Sequence, residues 1–165
     1  MSIRTITDKA TYLTFHLGNE IFAVNVLKIR EVLELTRITN VPKMPDFVMG
    51  VINVRGSIVP VVDLKQIFGM QSTENTINTC IVVIEVPIEN NIITIGCLAD
   101  SVEEVINLDP DQIDAAPHIG TSVDTEFIKG IGKKADSFII VLDIESVFSG
   151  HEINMVDNSI ETIQK

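Results

Sequence analysis

The sequence predicts an all-β protein made of two pseudo-symmetric small barrels packed together, and three observations carry that prediction. The apolar share is 45%, yet Trp is absent and aromatics reach only 5%, so the core must be assembled mostly from Ile, Val and Leu, which favour strands. Alternating apolar runs are separated by short turn signals such as Gly18-Asn19 and Glu89-Asn90-Asn91. The chain also repeats itself. Phe47 falls on Phe127, Gly50 on Gly130, Ser57 on Ser137, Asp63 on Asp143 and Phe68 on Phe148, while Glu31 falls on Glu104, Val32 on Val105 and Leu35 on Leu108 in a second, earlier block.

In chain order, the runs either side of Gly18-Asn19 predict a β-hairpin. Leu27 to Leu35, LKIREVLEL, fits neither helical nor strand period cleanly and is expected to be a strand running into an irregular bend. Pro42 and Pro45 make Thr39 to Phe47 an extended loop. Phe47 to Gly69, FVMGVINVRGSIVPVVDLKQIFG, has the strongest local signals and is expected to form strand, turn, strand and capped helix. There Gly56 suits a turn needing positive φ, Pro60 predicts an edge or bulged strand, Asp63 an N-cap and Gly69 a helix stop.

Gln71 to Asn78 is polar and reads as an exposed connection; Cys80 to Val86 and Ile92 to Leu98 form a second hairpin. Asp100 to Leu108 follows, and Asp109-Pro110 starts a short helical turn. After a loop over Ala116 to Thr125, Phe127 to Phe148 repeats strand, turn, strand and helix. In the tail, Ile153, Val156, Ile160 and Ile163 fall on one helical face. Each half supplies about five short strands, enough for one small barrel, but at roughly 70 residues neither would bury a comfortable core alone. A shared apolar interface is therefore expected.

A formal net charge of −11 argues against nucleic acid and anionic lipid surfaces, which it repels over a Debye length of about 8 Å. No apolar run approaches the roughly 20 residues that a bilayer-crossing helix needs, and Met1 to Ala10 lacks a signal-peptide pattern, so a soluble cytoplasmic protein without membrane insertion is expected. Cys80 and Cys97 lie in strand-like runs without metal or redox spacing and read as buried thiols.

Catalysis finds little support. His16, His118 and His151 are far apart and belong to no metal motif, and no phosphate-binding or nucleophile-elbow pattern occurs; no catalytic residue, metal ligand or cofactor is predicted. Asp63, Asp100 and Asp143 follow strands, where paired carboxylates can do acid/base work, but DLKQIF and DIESVF explain two of them as helix caps, and Asp100 reads as a turn residue. Arg55 stands apart. Its repeat mate is Ala135, so the duplication does not require a cation there. Two explanations stand side by side: an ion pair with Glu31, whose own mate Glu104 has no matching arginine, or a contact to a partner.

YLTFHLGNEIFAVNVLKIREVLEL, the VPKMPDFVMGVINVRGSIVPVVDL block and IGCLADSVEEVINL together resemble the CheW family of chemotaxis coupling proteins, from about Tyr12 to Phe148. The GVINVRGSIVPVVDL block is the most specific part. The resemblance implies one CheW-like domain over residues 1–165: SH3-like five-stranded barrels over about 12–70 and 79–148, a C-terminal helix over 152–165, and the option that the barrels exchange terminal strands. It further implies no enzymatic activity, and an adaptor joining the cytoplasmic tip of chemoreceptors to the regulatory domain of the chemotaxis histidine kinase, recruited to membrane-associated receptor arrays. On that resemblance Ile29, Glu31, Val54 and Arg55 are expected to meet the receptor, and Val102, Glu104 and Val105 the kinase. A chemosensory pathway with a non-flagellar output, and a small-ligand barrel with a deep pocket near Asp63 or Asp100, are the alternatives.

Overall fold

The computed structural model describes residues 9–115, 127–134 and 136–148. The expected loop at 116–125, the tail helix at 152–165, His118 and His151 lie outside them. The elements run β1 (Ala10–Leu17), β2 (Glu20–Asn25), β3 (Ile29–Glu34), β4 (Val48–Val54), β5 (Ser57–Asp63), α1 (Leu64–Ile67), β6 (Cys80–Ile88), β7 (Asn91–Ala99), β8 (Ser101–Leu108), β9 (Ile113–Asp114), β10 (Ile128–Lys134), β11 (Ser137–Leu142) and α2 (Ile144–Phe148). A 3₁₀ turn over Val26–Lys28 precedes β3, so the irregularity expected around Leu27 to Leu35 comes before the strand, where Asn25 caps it by accepting from the Leu27 N–H.

The strands form two sheets, β3-β6-β7-β5-β4 and β8-β1-β2-β11-β10-β9, here called the middle and terminal lobes. These lobes are not the consecutive stretches 12–70 and 79–148. The duplication is present strand for strand, but the halves have exchanged their leading hairpins. β6 and β7, from the second half, sit between β3 and β5 of the first; β1 and β2 sit between β8 and β11 of the second. The registers obey the repeat. Val61 pairs with Gly96 in the parallel β5–β7 contact and Val141 with Ala23 in the parallel β11–β2 contact, while Val32 pairs with Val82 and Val105 with Leu13. Even the caps agree: the Asp63 N–H donates to the Phe47 carbonyl at 2.7 Å and the Asp143 N–H to the Phe127 carbonyl at 2.8 Å.

The exchange explains where the apolar side chains go. Strands present alternate side chains to opposite faces, so each sheet fills a small core of its own with one set and faces the other lobe with the second. Ile52, Val54, Val59, Val61, Ile81, Val83 and Leu98 form the middle-lobe core, and Tyr12, Ala23, Ile106, Leu108, Ile139 and Val141 the terminal-lobe core. Phe15, Phe22, Val62, Leu64, Phe68, Val82, Ile84, Ile95 and Ile144 meet in a third, larger core that joins the lobes. Phe15 stacks on Phe22 and Phe22 on Phe68, running an aromatic column across this interface.

Pro60 lies within a strand that has neighbours on both sides, so of the edge or bulged strand expected for it the edge position is not found, while the β4–β5 ladder does shift register between Val48 and Gly50, opposite Val62 and Val61. The N–H and carbonyl of Val51, which faces Pro60, are both taken by Thr39. The proline nitrogen therefore points to the other flank, where pairing with β7 begins only at Val61. Gly50 shows why a short flanking segment can approach β4: a Cβ there would lie 2.1 Å from the Thr39 carbonyl oxygen, and φ is +144°. At its mate Gly130 a Cβ would meet Ile113 Cγ2 at 2.4 Å, and the approaching segment is β9.

Candidate functional site

Both β3 and β8 are edge strands, each at the end of its sheet, and they are mates under the repeat. Together they carry most of the residues expected to bind partners. On β3, Ile29 is half-buried and packs against the shared core, while Glu31 is half-buried and Val32 exposed. On β8, Val102 likewise packs against the shared core, Glu104 is exposed and Val105 is 59% exposed. Val54 is buried in the middle-lobe core, so it supports the β4–β5 turn from beneath and offers little side chain to a partner.

The β4–β5 turn brings Arg55 onto Glu31. Arg55 has φ +49° and Gly56 φ +87°, the pair of left-handed residues a tight hairpin requires, and the Gly56 N–H donates to Asn53 Oδ1 at 2.7 Å. That geometry turns the guanidinium back over the sheet. Arg55 Nη1 and Nη2 donate to the two Glu31 carboxylate oxygens at 2.8 Å each, a bidentate fork, with the arginine side chain 65% exposed and the glutamate 19%. The pairing explanation for Arg55 is thus realised, and the exposed arginine face stays open to a partner.

Glu104 has no matching arginine, as expected, but a lysine takes that place. Lys134 Nζ lies 2.5 Å from Glu104 Oε2, closing the equivalent corner of the terminal lobe. It escaped the repeat alignment because it sits one position before Ala135, on the last residue of β10 rather than in the turn. The doublet Lys133-Lys134 ahead of the turn was the available signal. A pocket of about 190 Å³ opens beside this pair, lined by Thr14, Ile21, Glu104, Lys134, Ser137 and Ile139 among others. A wider hollow of about 320 Å³ lies between the lobes, where Val32 and Glu34 of β3 face Ser101 and Val102 of β8, with Ile77 fully exposed at its rim.

The carboxylates considered for chemistry are structural. Asp63 is buried and accepts from the Lys65 N–H at 3.0 Å, capping α1; burial pushes its pKa up, the neighbouring Asp100 charge adds to this, and Lys65 opposes it. Asp100 is more than a turn residue. It accepts from the Gly18 N–H at 2.6 Å and from Lys65 Nζ at 2.7 Å, so it ties the β1–β2 turn of the terminal lobe to α1 of the middle lobe. Burial pushes its carboxyl up, but the hydrogen bonds from Lys65 and Gly18 outweigh that and hold it below the usual range. Glu145 of α2, the repeat mate of Lys65, accepts from Lys28, one position beyond the mate of Asp100, so a related link with reversed signs joins the lobes a second time. His16 pairs with Glu103 on the surface. Among the described residues no group of three His, Cys, Asp or Glu is placed to hold a metal ion, and burial pushes the thiols of Cys80 and Cys97 up, away from reactivity.

Comparison with known proteins agrees with this picture. The chain is 36% identical over 138 residues to the chemotaxis protein CheW of Thermotoga maritima, which covers 82% of this chain and 85% of that one. It is 34% identical over 147 residues to the chemotaxis protein CheW of Klebsiella aerogenes, covering 89% and 86%. The crystal structure of the scaffolding protein TtCheW from Thermoanaerobacter tengcongensis superposes with a TM-score of 0.77 at 32% identity, over 87% of this chain and 90% of that one. The family model described as the CheW-like domain matches residues 11–152, and the chain belongs to that family.

Proposed function

We propose that this protein is a non-catalytic adaptor of bacterial chemotaxis, coupling chemoreceptors to the chemotaxis histidine kinase from the cytoplasm. The observation that carries the proposal is the pair of related edge-strand surfaces, β3 closed by Arg55–Glu31 and β8 closed by Lys134–Glu104, one on each of two lobes joined by a shared apolar core. Two such surfaces let one molecule hold two partners at a set geometry. The cytoplasmic tip of the receptor docks at Ile29, Glu31 and Arg55, over the turn that Val54 supports. The kinase regulatory domain docks by barrel-to-barrel contact around Val102, Glu104 and Val105.

Family membership and the scaffolding description of the TtCheW structure support this reading, as do edge strands and an interlobe hollow suited to helices or other barrels. No helix among the described residues is long and apolar enough to cross a membrane, consistent with recruitment to arrays through receptors. Each contact is expected to be weak singly and strengthened by multivalency. The test is a pull-down of purified protein with receptor-tip helices and with the kinase regulatory domain: both are retained if the proposal holds, and it is lost if neither binds. Arg55→Ala should weaken receptor-tip retention while costing no more than about 1 kcal/mol of stability, since the pair is exposed on the arginine side. A double-mutant cycle with Glu31 on both readouts separates pairing from contact.

A further inference from the structure

The β10–β11 hairpin carries chemistry that its mate β4–β5 lacks. In a chain of net charge −11 with twelve Lys and Arg, the seven residues of β10 hold Lys129, Lys133 and Lys134. Lys133 stands directly across the hairpin from Phe138, whose ring is 64% exposed. At the mate positions Asn53 faces Ile58, which is 40% exposed, so the middle-lobe hairpin is uncharged and less apolar there, its one cation, Arg55, lying in the turn and forked onto Glu31. The lysines are held lightly. Lys133 pairs with Asp114 at 2.9 Å and Lys134 with Glu104 at 2.5 Å, with all four side chains between 42% and 62% exposed. Pairs so open to water contribute little, and an incoming carboxylate can replace Asp114 or Glu104 at small cost. Lys133 and Phe138 share one face of the hairpin end, and Lys134, across from Ser137, stands on the other, so an exposed aromatic ring is accompanied by an exchangeable ammonium on each face, the composition of a binding hot spot.

We propose that Lys133, Lys134 and Phe138 form the centre of the kinase-facing contact of the terminal lobe, receiving a region of the kinase regulatory domain where carboxylates border an apolar hollow. The inference rests on the adaptor reading above and adds these three residues to Val102, Glu104 and Val105, with which Lys134 is continuous through Glu104. Phe138 fills the partner's hollow, and the lysines steer and orient an acidic surface toward a protein that otherwise repels it.

The experiment measures the affinity of the full-length protein for the isolated kinase regulatory domain, by calorimetry at low and at raised salt, beside its affinity for receptor-tip helices. Expected are binding by the wild type that weakens with salt, at least a tenfold loss in K133E/K134E together with loss of the salt dependence, a comparable loss in F138S, and receptor-tip affinity unchanged in both variants. If the wild type fails to bind the kinase domain, the adaptor reading fails. If it binds and both variants bind within twofold of it, the hairpin proposal alone is overturned. Should K133E/K134E unfold, F138S and the charge-neutral K134Q decide by the same criterion.

Discussion

Asp100 shows how a single carboxylate can matter to this molecule without chemistry. It neutralises Lys65, whose side chain is only 4% exposed, and it holds a backbone N–H of the opposite lobe. Removing one member of a buried pair strands the other, and Asp100→Asn is expected to cost about 3 kcal/mol at neutral pH by urea denaturation. The pH dependence has a definite sign. Because the folded carboxyl titrates below its ordinary 3.8, its stabilisation is present above that value and is lost as pH falls toward the lowered folded value. Asp63, raised by burial, works the other way, its folded form taking up a proton at higher pH than the unfolded. D100N should therefore flatten the acid limb of stability against pH, and wild type and variant should converge there. A variant as stable as wild type at pH 7 would remove Asp100 from the interlobe staple.

At the scale of elements, much was legible because local chemistry decides it. Gly18-Asn19 turns a hairpin, Asp63 caps α1, Gly56 adopts positive φ, and both cysteines are buried in strands. What escaped were features that need a distant partner. Nothing near Ile113-Asp114 announces a two-residue strand; it exists because Gly130 leaves room for it. Pro60 is tolerated inside a sheet because its nitrogen points to the flank where pairing with β7 begins only at Val61. Gly50 is the matching requirement on β4, where any side chain would overlap the Thr39 carbonyl. Gly50→Ala is expected to destabilise the protein by about 3 kcal/mol, through steric overlap and an unfavourable φ, and to expose the Thr39 and Val51 amides to hydrogen exchange. Unchanged protection at those amides would show that the flanking bridge does not depend on the glycine.

For the whole molecule, the duplication was readable from spacing alone, but its consequence was not. Two repeats can fold as two consecutive barrels or exchange their hairpins with identical local patterns, because the same faces of the same strands are buried either way. Long-range pairing selects exchange here, and it makes the halves mutually dependent. Residues up to the polar connection at 71–78 supply β3, β4 and β5 but not the β6–β7 hairpin that lies between them, and the remainder lacks β1 and β2. Splitting the chain within that connection should give two fragments that separately show no cooperative thermal transition, and that recover one on equimolar mixing, with a single heterodimeric species by size exclusion. The shared core, which gathers Phe22 and Phe68 of one fragment with the β6–β7 residues Val82, Ile84 and Ile95 of the other, provides the driving force for reassembly. A cooperative, monomeric melt from either fragment alone would mean that a half can close on its own hairpin, and the exchanged arrangement would then be one choice among two of similar stability.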